Sequence, residues 1–250
     1  MSNPVRRTPC FCQVLTIVFS VCCALNAAAA ERFASHSSLG SRVPVTRAVG
    51  STRSITQGRG EAVFILPDLD ESPETWQSLL ADLGERFAAT AIGWTAGDLA
   101  DPRGIMTTLQ SGNGESVHLI GEGAGARLAL RLAIEYPDQV RSLVLSAPDP
   151  RWFARDAAVE AARGGASLPS EVDTLLSAFR LGRISVPVLV LGGDRDSRWA
   201  ADNTAHGWMR AAREQTLRGA GSHPHIHASI DFNRAVARFL ERQRLTAGAP

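Results

Sequence analysis

Short apolar runs alternate with longer amphipathic stretches along most of this chain. The apolar runs predict strands at Arg42–Ala48, Thr52–Gln57, Glu61–Leu66, Ala88–Trp94, Ser116–Ile120, Val140–Ser146, Ile184–Leu191 and Gln215–Arg218. The amphipathic stretches predict helices at Pro73–Phe87, Asp101–Ser111, Gly125–Tyr136, Ala200–Arg213 and Ser229–Arg242. Repeated βα units of this length predict an α/β fold, with a mostly parallel central sheet flanked by helices.

One segment interrupts this alternation between the strands at 140–146 and 184–191. Its sequence predicts two helices, Arg151–Arg163 and Ser170–Phe179, separated by Gly164-Gly165. We interpret residues 148–183 as a short two-helix lid inserted into a single domain that spans residues 41–245. The alternative is a crossover connection that contains an extra helix.

The N-terminus has the pattern of a secretory signal peptide. Arg6 and Arg7 precede the apolar stretch Val14–Leu25, and Ala28–Ala30 supplies the small residues of a cleavage site. A membrane anchor is the alternative, but the apolar run is short and contains polar residues. We therefore predict a signal at residues 1–30, a flexible start at 31–40, no membrane span after cleavage, and a periplasmic or secreted protein. The sequence leaves open whether the Sec or the twin-arginine route is used.

Composition excludes several kinds of chemistry. All four cysteines (Cys10, Cys12, Cys22 and Cys23) lie inside the predicted signal, so the mature chain has no thiolate nucleophile, disulfide or cysteine metal ligand. The chain contains no lysine, which excludes a Schiff base. Removing Arg6 and Arg7 from the 26 basic residues leaves 24 against 25 acidic residues, a net charge near −1. Because the arginines are also dispersed, nothing predicts a nucleic-acid partner.

A glycine-rich turn carries the most informative motif. Gly121-Glu122-Gly123-Ala124-Gly125 lies between a predicted strand and a predicted helix. This is the setting of a nucleophile elbow, in which the pattern G-x-S-x-G exposes a serine hydroxyl. Here Gly123 stands at the serine position and has no side chain that could attack a substrate.

Together with this turn, several blocks in the right order resemble the α/β-hydrolase family, specifically its esterase, lipase and haloperoxidase-like members with small lids. The resemblance covers about residues 42–245 and rests on residues 117–125, 136–145, 187–196, 219–221 and 231–240. It implies the α/β-hydrolase fold. It also implies four requirements for catalysis: a serine, a histidine, an orienting carboxylate and two N–H groups that stabilise the oxyanion.

The catalytic positions that the resemblance implies are altered in this chain. Gly123 leaves the nucleophile position vacant, and Ser222 stands at the histidine position, with His223 displaced by one residue. The resemblance assigns the carboxylate to Asp196, with Asp194 and Asp149 as weaker candidates. The N–H groups of Leu69 and Ala124 are expected to form the oxyanion hole. Asp68 stands in the loop where the family usually has His-Gly, and its carboxylate would oppose a developing negative charge.

Other side chains are weaker candidates for the site. Glu122 is interpreted as a general base or, more simply, as part of the pocket floor. Pro67, Asp68, Trp94, Trp152 and Phe153 are expected to line a ligand pocket, with core packing as the alternative for the aromatic residues. The alternating histidines His223, His225 and His227 suggest either a metal site or polar residues of a surface loop and helix start, and we favour the second interpretation. We predict no metal ligands and no cofactor.

Two functions are consistent with this pattern. The first is an exported pseudoenzyme that has kept the hydrolase scaffold and binds a small apolar molecule or a protein partner. The second is an active hydrolase of esters or related substrates in which Asp196 and His223 act from a non-standard site. The changes at the nucleophile, at the histidine and in the oxyanion loop favour the first.

Overall fold

A computed structural model describes residues 45–49, 52–110, 116–148, 181–201 and 209–247 of the 250-residue chain. The predicted signal, the predicted flexible start at 31–40 and nearly all of the predicted lid, from 149 to 180, lie outside the described residues. Among the described residues, no helix combines the length and the apolar character needed to cross a bilayer.

The described strands form one eight-stranded sheet in the order β1-β2-β4-β3-β5-β6-β7-β8. The strands are β1 Val45–Val49, β2 Thr52–Gln57, β3 Glu61–Leu66, β4 Phe87–Ile92, β5 Val117–Glu122, β6 Val140–Ser146, β7 Val188–Gly193 and β8 Ala212–Leu217. β2 pairs antiparallel with β1 and β4, whereas all neighbours from β4 to β8 are parallel. The predicted α/β architecture with a mostly parallel sheet is therefore confirmed.

Helices connect the strands and cover the sheet. They are α1 Gln77–Leu83, α2 Ala96–Ala100, α3 Arg103–Gln110, α4 Ala124–Glu135, α5 Ser197–Ala201, α6 Pro224–His227 and α7 Ser229–Ala247, with 3₁₀ turns at Pro73–Trp76 and Pro137–Gln139. Pro73 begins its turn where its fixed φ is favourable and its missing N–H costs nothing. Before α2, the Thr95 N–H donates to Asp98 Oδ2 at 2.8 Å, which satisfies a free donor at the helix start.

Two apolar layers pack against opposite faces of the sheet. Alternate residues of β3 point to different layers: Val63 and Ile65 join the layer under α1 and α7, whereas Leu66 joins the layer under α4. β5 and β7 are buried along their whole length. Central parallel strands covered on both faces have this continuous apolar pattern. The sheet is therefore a rigid platform for the loops that follow its carboxyl ends.

Several predicted element boundaries were wrong; β7, for example, begins at Val188 rather than at Ile184. Phe87 begins β4 rather than ending a helix, because α1 ends at Leu83 and the chain turns at Gly84. Ala212 and Arg213 belong to β8, whereas the sequence predicted a helix as far as Arg213. β8 is the last strand of the sheet and is half-exposed, so its polar residues have the spacing of neither a buried strand nor an amphipathic helix.

Candidate functional site at the carboxyl ends of the strands

The turn between β5 and α4 has the backbone of a nucleophile elbow. Gly123 adopts φ +51° and ψ −122°, in a left-handed region that glycine enters without strain. Gly125 lets α4 approach β3 closely, since a Cβ there would lie 2.0 Å from the Leu66 carbonyl oxygen. The strand–turn–helix geometry is thus retained, while the central position offers no reactive atom.

The carboxylate of Asp68 fills the space in front of this turn. Its Oδ1 accepts hydrogen bonds from the Leu69 N–H at 2.8 Å and the Ala124 N–H at 3.0 Å. These are the two N–H groups that the sequence assigned to the oxyanion hole. A Cβ built on Gly123 would lie 2.0 Å from Asp68 Oδ2. The Asp68 carboxylate therefore accepts both N–H groups and also fills the space that a side chain at position 123 would need.

A cluster of two carboxyl groups and two imidazoles lies beside the turn. His223 Nδ1 is 3.2 Å from Glu71 Oε1 and 3.4 Å from Glu122 Oε1. His225 Nδ1 contacts Glu122 Oε2, and His225 Nε2 is 3.7 Å from Glu71 Oε1. We call Glu71, Glu122, His223 and His225 the Glu–His cluster.

Three parts of the chain position the cluster. Glu122 is the last residue of β5, and Glu71 lies in the loop after β3. His223 precedes α6 as its N-cap residue, and His225 lies within α6. The His225 ring stacks on Trp76, with ring centroids 4.0 Å apart and planes 5° apart. This stacking holds the imidazole in one orientation towards Glu122.

The cluster is buried but not satisfied by hydrogen bonds. Only 1% of the Glu122 side chain and 2% of the His225 side chain are exposed, whereas 37% of His223 is exposed. Neither carboxyl oxygen of Glu122, neither ring nitrogen of His225, nor His223 Nδ1 has a hydrogen-bond partner in the described structure. The contacts between them are close but not aligned as hydrogen bonds. Buried polar atoms in this state are rare and point to a missing partner.

Burial moves the protonation equilibria of the cluster in opposite directions. Desolvation raises the pKa of Glu122 well above its usual value; the charges of Glu71 and Asp68 add to this rise, and His223 opposes it. Desolvation lowers the pKa of His225 to about 4, although Glu71 acts in the other direction. Both shifts favour the uncharged forms of two groups that touch.

Asp196 does not join this cluster, which corrects its predicted pairing with His223. The Arg198 backbone N–H and side chain donate hydrogen bonds of 3.0–3.1 Å to Asp196. Burial acts to raise the pKa of Asp196, but the hydrogen bonds from Arg198 outweigh it and the pKa is lowered. Within the described part of the chain, no ion pair joins Asp196 to a histidine. Asp194 accepts the Gly219 N–H instead, and Asp149 lies outside the described residues.

The expected pocket-lining residues are only partly described. Trp94 Nε1 donates to the Pro67 carbonyl oxygen at 2.8 Å, so this pair fixes the loop that carries Asp68. Both residues are buried, which indicates packing as well as proximity to the site. Trp152 and Phe153 lie outside the described residues.

Sequence reasoning missed Glu71 and misjudged His225. Glu71 follows β3 closely in a turn, but nothing in its spacing connects it to residues 222–225. His225 was interpreted as a polar residue of a surface loop and helix start. It does lie in the short helix α6, but only 5% of the residue is exposed. Two features of the sequence could have indicated this cluster: Glu122 ends a buried strand, and several histidines follow the Gly-Ala-Gly turn.

A second buried histidine lies at the opposite end of β5 and has a structural role. His118 Nδ1 is 2.7 Å from Ser142 Oγ, and His118 Nε2 is 3.3 Å from Glu61 Oε2. This row resembles a catalytic relay, but Ser142 and His118 are both fully buried, so no substrate can reach them. Desolvation lowers the pKa of His118, which favours a neutral ring held by hydrogen bonds.

Comparison with known proteins identifies the fold. No protein-family model and no curated protein matches the sequence. Among solved structures, carboxylesterase CesB from Bacillus subtilis is 17% identical, with 82% of this chain and 94% of that chain covered, at a TM-score of 0.62. An α/β-hydrolase from the sediment metagenome of the Mar Chica lagoon in Morocco is 15% identical, with coverage of 80% and 99% and a TM-score of 0.62.

A meta-cleavage product hydrolase from Pseudomonas fluorescens is also similar, at 15% identity, coverage of 80% and 98%, and a TM-score of 0.59. Together with the sheet order and the elbow, these similarities show that the chain has the α/β-hydrolase fold. At this level of identity they show the fold alone.

Proposed function

We propose that this protein is an exported α/β-hydrolase-fold protein that does not carry out serine hydrolysis and uses the former catalytic site to bind a ligand. The observation that carries the proposal is the position of the Asp68 carboxylate, which accepts both N–H groups of the presumptive oxyanion hole. Export rests on the signal pattern of residues 1–30.

Two features of the site support the absence of serine hydrolysis. Gly123 removes the nucleophile, and loss of a triad nucleophile costs many orders of magnitude in rate. Asp68 then blocks both oxyanion donors, each of which is worth about 10²- to 10³-fold in enzymes of this type. An acyl substrate would also have to approach a carboxylate that repels the negative charge formed during attack.

The alternative of an enzyme that uses Asp196 with His223 receives no support from the geometry. Asp196 is held by Arg198, while His223 faces Glu71 and Glu122. The charges at the site also affect the choice of ligand. Asp68, Glu71 and Glu122 are all carboxyl groups beside the turn, so a cationic or strongly polar ligand is favoured over the small apolar molecule expected from the fold.

The proposal is tested by ester hydrolysis. The purified protein, expressed from its full chain, is assayed with short acyl esters in the presence of a chelator, beside Asp68→Ala, Gly123→Ser and the double variant. We expect the wild type to show no turnover above buffer, and Gly123→Ser to remain inactive, because the Asp68 carboxylate that the serine displaces still lies beside the oxyanion donors. Asp70→Ala, which removes a nearby exposed carboxylate, is the matched control for Asp68→Ala.

The double variant asks whether the rest of the site survives. Turnover that appears only when Asp68→Ala is combined with Gly123→Ser would show that Asp68 was the block. Wild-type turnover that resists chelation and is abolished by Asp196→Ala or His223→Ala would overturn the proposal and restore the enzymatic alternative.

A further inference from the structure

The Glu–His cluster has the composition of a site for a transition-metal ion. One ligand atom from each of Glu71, Glu122 and His223 lies within 4.8 Å of those of the other two. Imidazole and carboxylate ligands together suit Zn²⁺ and its neighbours, whereas Ca²⁺ and Mg²⁺ prefer oxygen ligands alone. We propose that Glu71, Glu122 and His223 bind one divalent transition-metal ion, best represented by Zn²⁺, and that His225 positions Glu122.

The spacing of the ligand atoms fits tetrahedral coordination. With bonds of about 2.0 Å to nitrogen and oxygen, two ligands of a tetrahedral zinc ion lie about 3.3 Å apart. The His223 Nδ1 atom lies 3.2 Å from Glu71 Oε1 and 3.4 Å from Glu122 Oε1. Two of the three distances between ligand atoms therefore already match tetrahedral coordination, and the ligand atoms of Glu71 and Glu122 lie within 4.8 Å of each other.

Burial provides a second, independent observation. Glu122 is 99% buried, and both of its oxygens lack a hydrogen-bond partner while facing the cluster. A buried carboxylate without a hydrogen-bond partner is costly, and a bound cation lowers this cost directly. Asp68 and Glu71 add negative charge on the same side, whereas the only nearby counter-charges in the cluster would be protonated histidines. A divalent ion balances this excess of carboxyl groups.

His225 has the position of an outer-shell partner. It contacts Glu122 Oε2, the oxygen opposite the one that faces His223, and stacking on Trp76 fixes its ring. Partners of this kind orient a ligating carboxylate and affect affinity about 10- to 100-fold. The partial exposure of His223 leaves one side of the site open. Three protein ligands and an open position are typical of a zinc site that accepts water or an external ligand.

The metal site deepens the proposed function, because it names the ligand that the former catalytic site would bind. It rests on the proposed function, which places a ligand at this site. Its test does not depend on activity. Protein purified from the full chain, stripped with a chelator, is titrated with Zn²⁺ by calorimetry in two buffers of different ionisation enthalpy. We expect one ion per chain, and the two buffers correct the measured enthalpy for any protons exchanged on binding.

Variants separate a specific site from adventitious binding. Glu122→Gln and His223→Ala should each weaken Zn²⁺ binding more than 100-fold, and His225→Gln about 10- to 100-fold. His227→Asn is the matched control, because His227 is in the same short helix but accepts the Gly221 N–H. It should bind Zn²⁺ as the wild type does. Co²⁺ should give the intense visible absorption of a tetrahedral site, and Glu122→Gln should remove it.

The possible outcomes are distinct. Absence of one-to-one Zn²⁺ binding, or binding that is equally strong in Glu122→Gln, His223→Ala and His227→Asn, would overturn the metal site. Tighter binding of Mg²⁺ or Ca²⁺ than of Zn²⁺ would overturn the assignment of metal class. Esterase activity of the chelator-treated wild type would instead overturn the proposed function, and this result does not depend on whether Zn²⁺ binds.

Discussion

Introducing a side chain at Gly123 tests whether Asp68 and this glycine form one structural unit. A serine there would meet Asp68 Oδ2, because its Cβ would lie 2.0 Å from that oxygen, and it would also have to adopt φ +51°. The backbone strain costs about 1–2 kcal/mol. Displacing Asp68 breaks two hydrogen bonds to a charged acceptor, worth about 1 kcal/mol each once the half-exposed carboxylate is rehydrated. We therefore expect Gly123→Ser to destabilise the fold by about 3–4 kcal/mol.

A double-mutant cycle isolates the clash from the strain. Asp68→Ala alone should cost about 2 kcal/mol, the two lost hydrogen bonds. If the serine displaces Asp68, those bonds are already lost, so the double variant should cost no more than Gly123→Ser alone. The two single effects should then exceed the double effect by about 2 kcal/mol.

Urea unfolding followed by tryptophan fluorescence measures each free energy. Asp70→Ala serves as the control partner, since it removes an exposed carboxylate from the same loop and should add independently to Gly123→Ser. Additivity of Asp68→Ala with Gly123→Ser to within about 0.5 kcal/mol would refute the direct contact between Asp68 and the space above Gly123.

Three further predictions concern pH and the core, the first two being measured by urea unfolding in the presence of a chelator. His225 has a pKa lowered to about 4, so the folded state binds fewer protons than the unfolded state between pH 4 and about 6.5. The free energy of unfolding should therefore fall by up to about 3 kcal/mol as the pH drops through this window. His225→Gln should flatten this fall. Glu122 has a raised pKa, so above about pH 4.5 the folded state binds more protons than the unfolded state. Stability should therefore decline as the pH rises from about 4.5 towards the folded-state pKa of Glu122. Glu122→Gln should remove this decline. Phe232→Ala should lower the free energy of unfolding by about 3–5 kcal/mol, because Phe232 is fully buried against Trp76. Ile230 is 73% exposed, so Ile230→Ala should change stability by less than about 0.5 kcal/mol in the same unfolding assay. A pH profile that does not change in the first two variants, or equal losses in the last two, would contradict the corresponding prediction.

The architecture was accessible from the sequence because burial leaves a strong pattern. β5 and β7 are buried along their whole length, β7 as an uninterrupted apolar run and β5 around its apolar residues Val117, Leu119 and Ile120. The glycines at 121 and 125 mark the close approach of α4 to the sheet. The edge of the sheet was less accessible. β8 is half-exposed, and its pairing with β7 begins at Ala212, whereas the sequence predicted a helix up to Arg213 and a strand only from Gln215.

The site was less predictable because its contacts connect residues far apart in the chain. The Leu69 and Ala124 N–H groups were expected to point at one place, and they share an acceptor, but the sequence could not show that the acceptor would be Asp68. Asp196 fitted the family position, yet Arg198 two residues later determines its contacts. Glu71 entered the site only through the path of its loop.

The changes at this site depend on one another physically. Asp68 can enter the oxyanion hole only where the elbow has no side chain, since any Cβ at position 123 would meet its carboxylate. Once Asp68 is there, a substrate oxyanion is excluded and a serine would gain nothing from the hole. The same carboxylate adds negative charge beside Glu122 and helps to raise its pKa, which makes a bare Glu122 harder to ionise and a cation more favourable. Under the proposed function, the vacant nucleophile position, the Asp68 carboxylate on the two N–H groups and the negative charge around His223 form one coherent arrangement, in which the electrostatics of a cation site would replace the chemistry of a serine hydrolase.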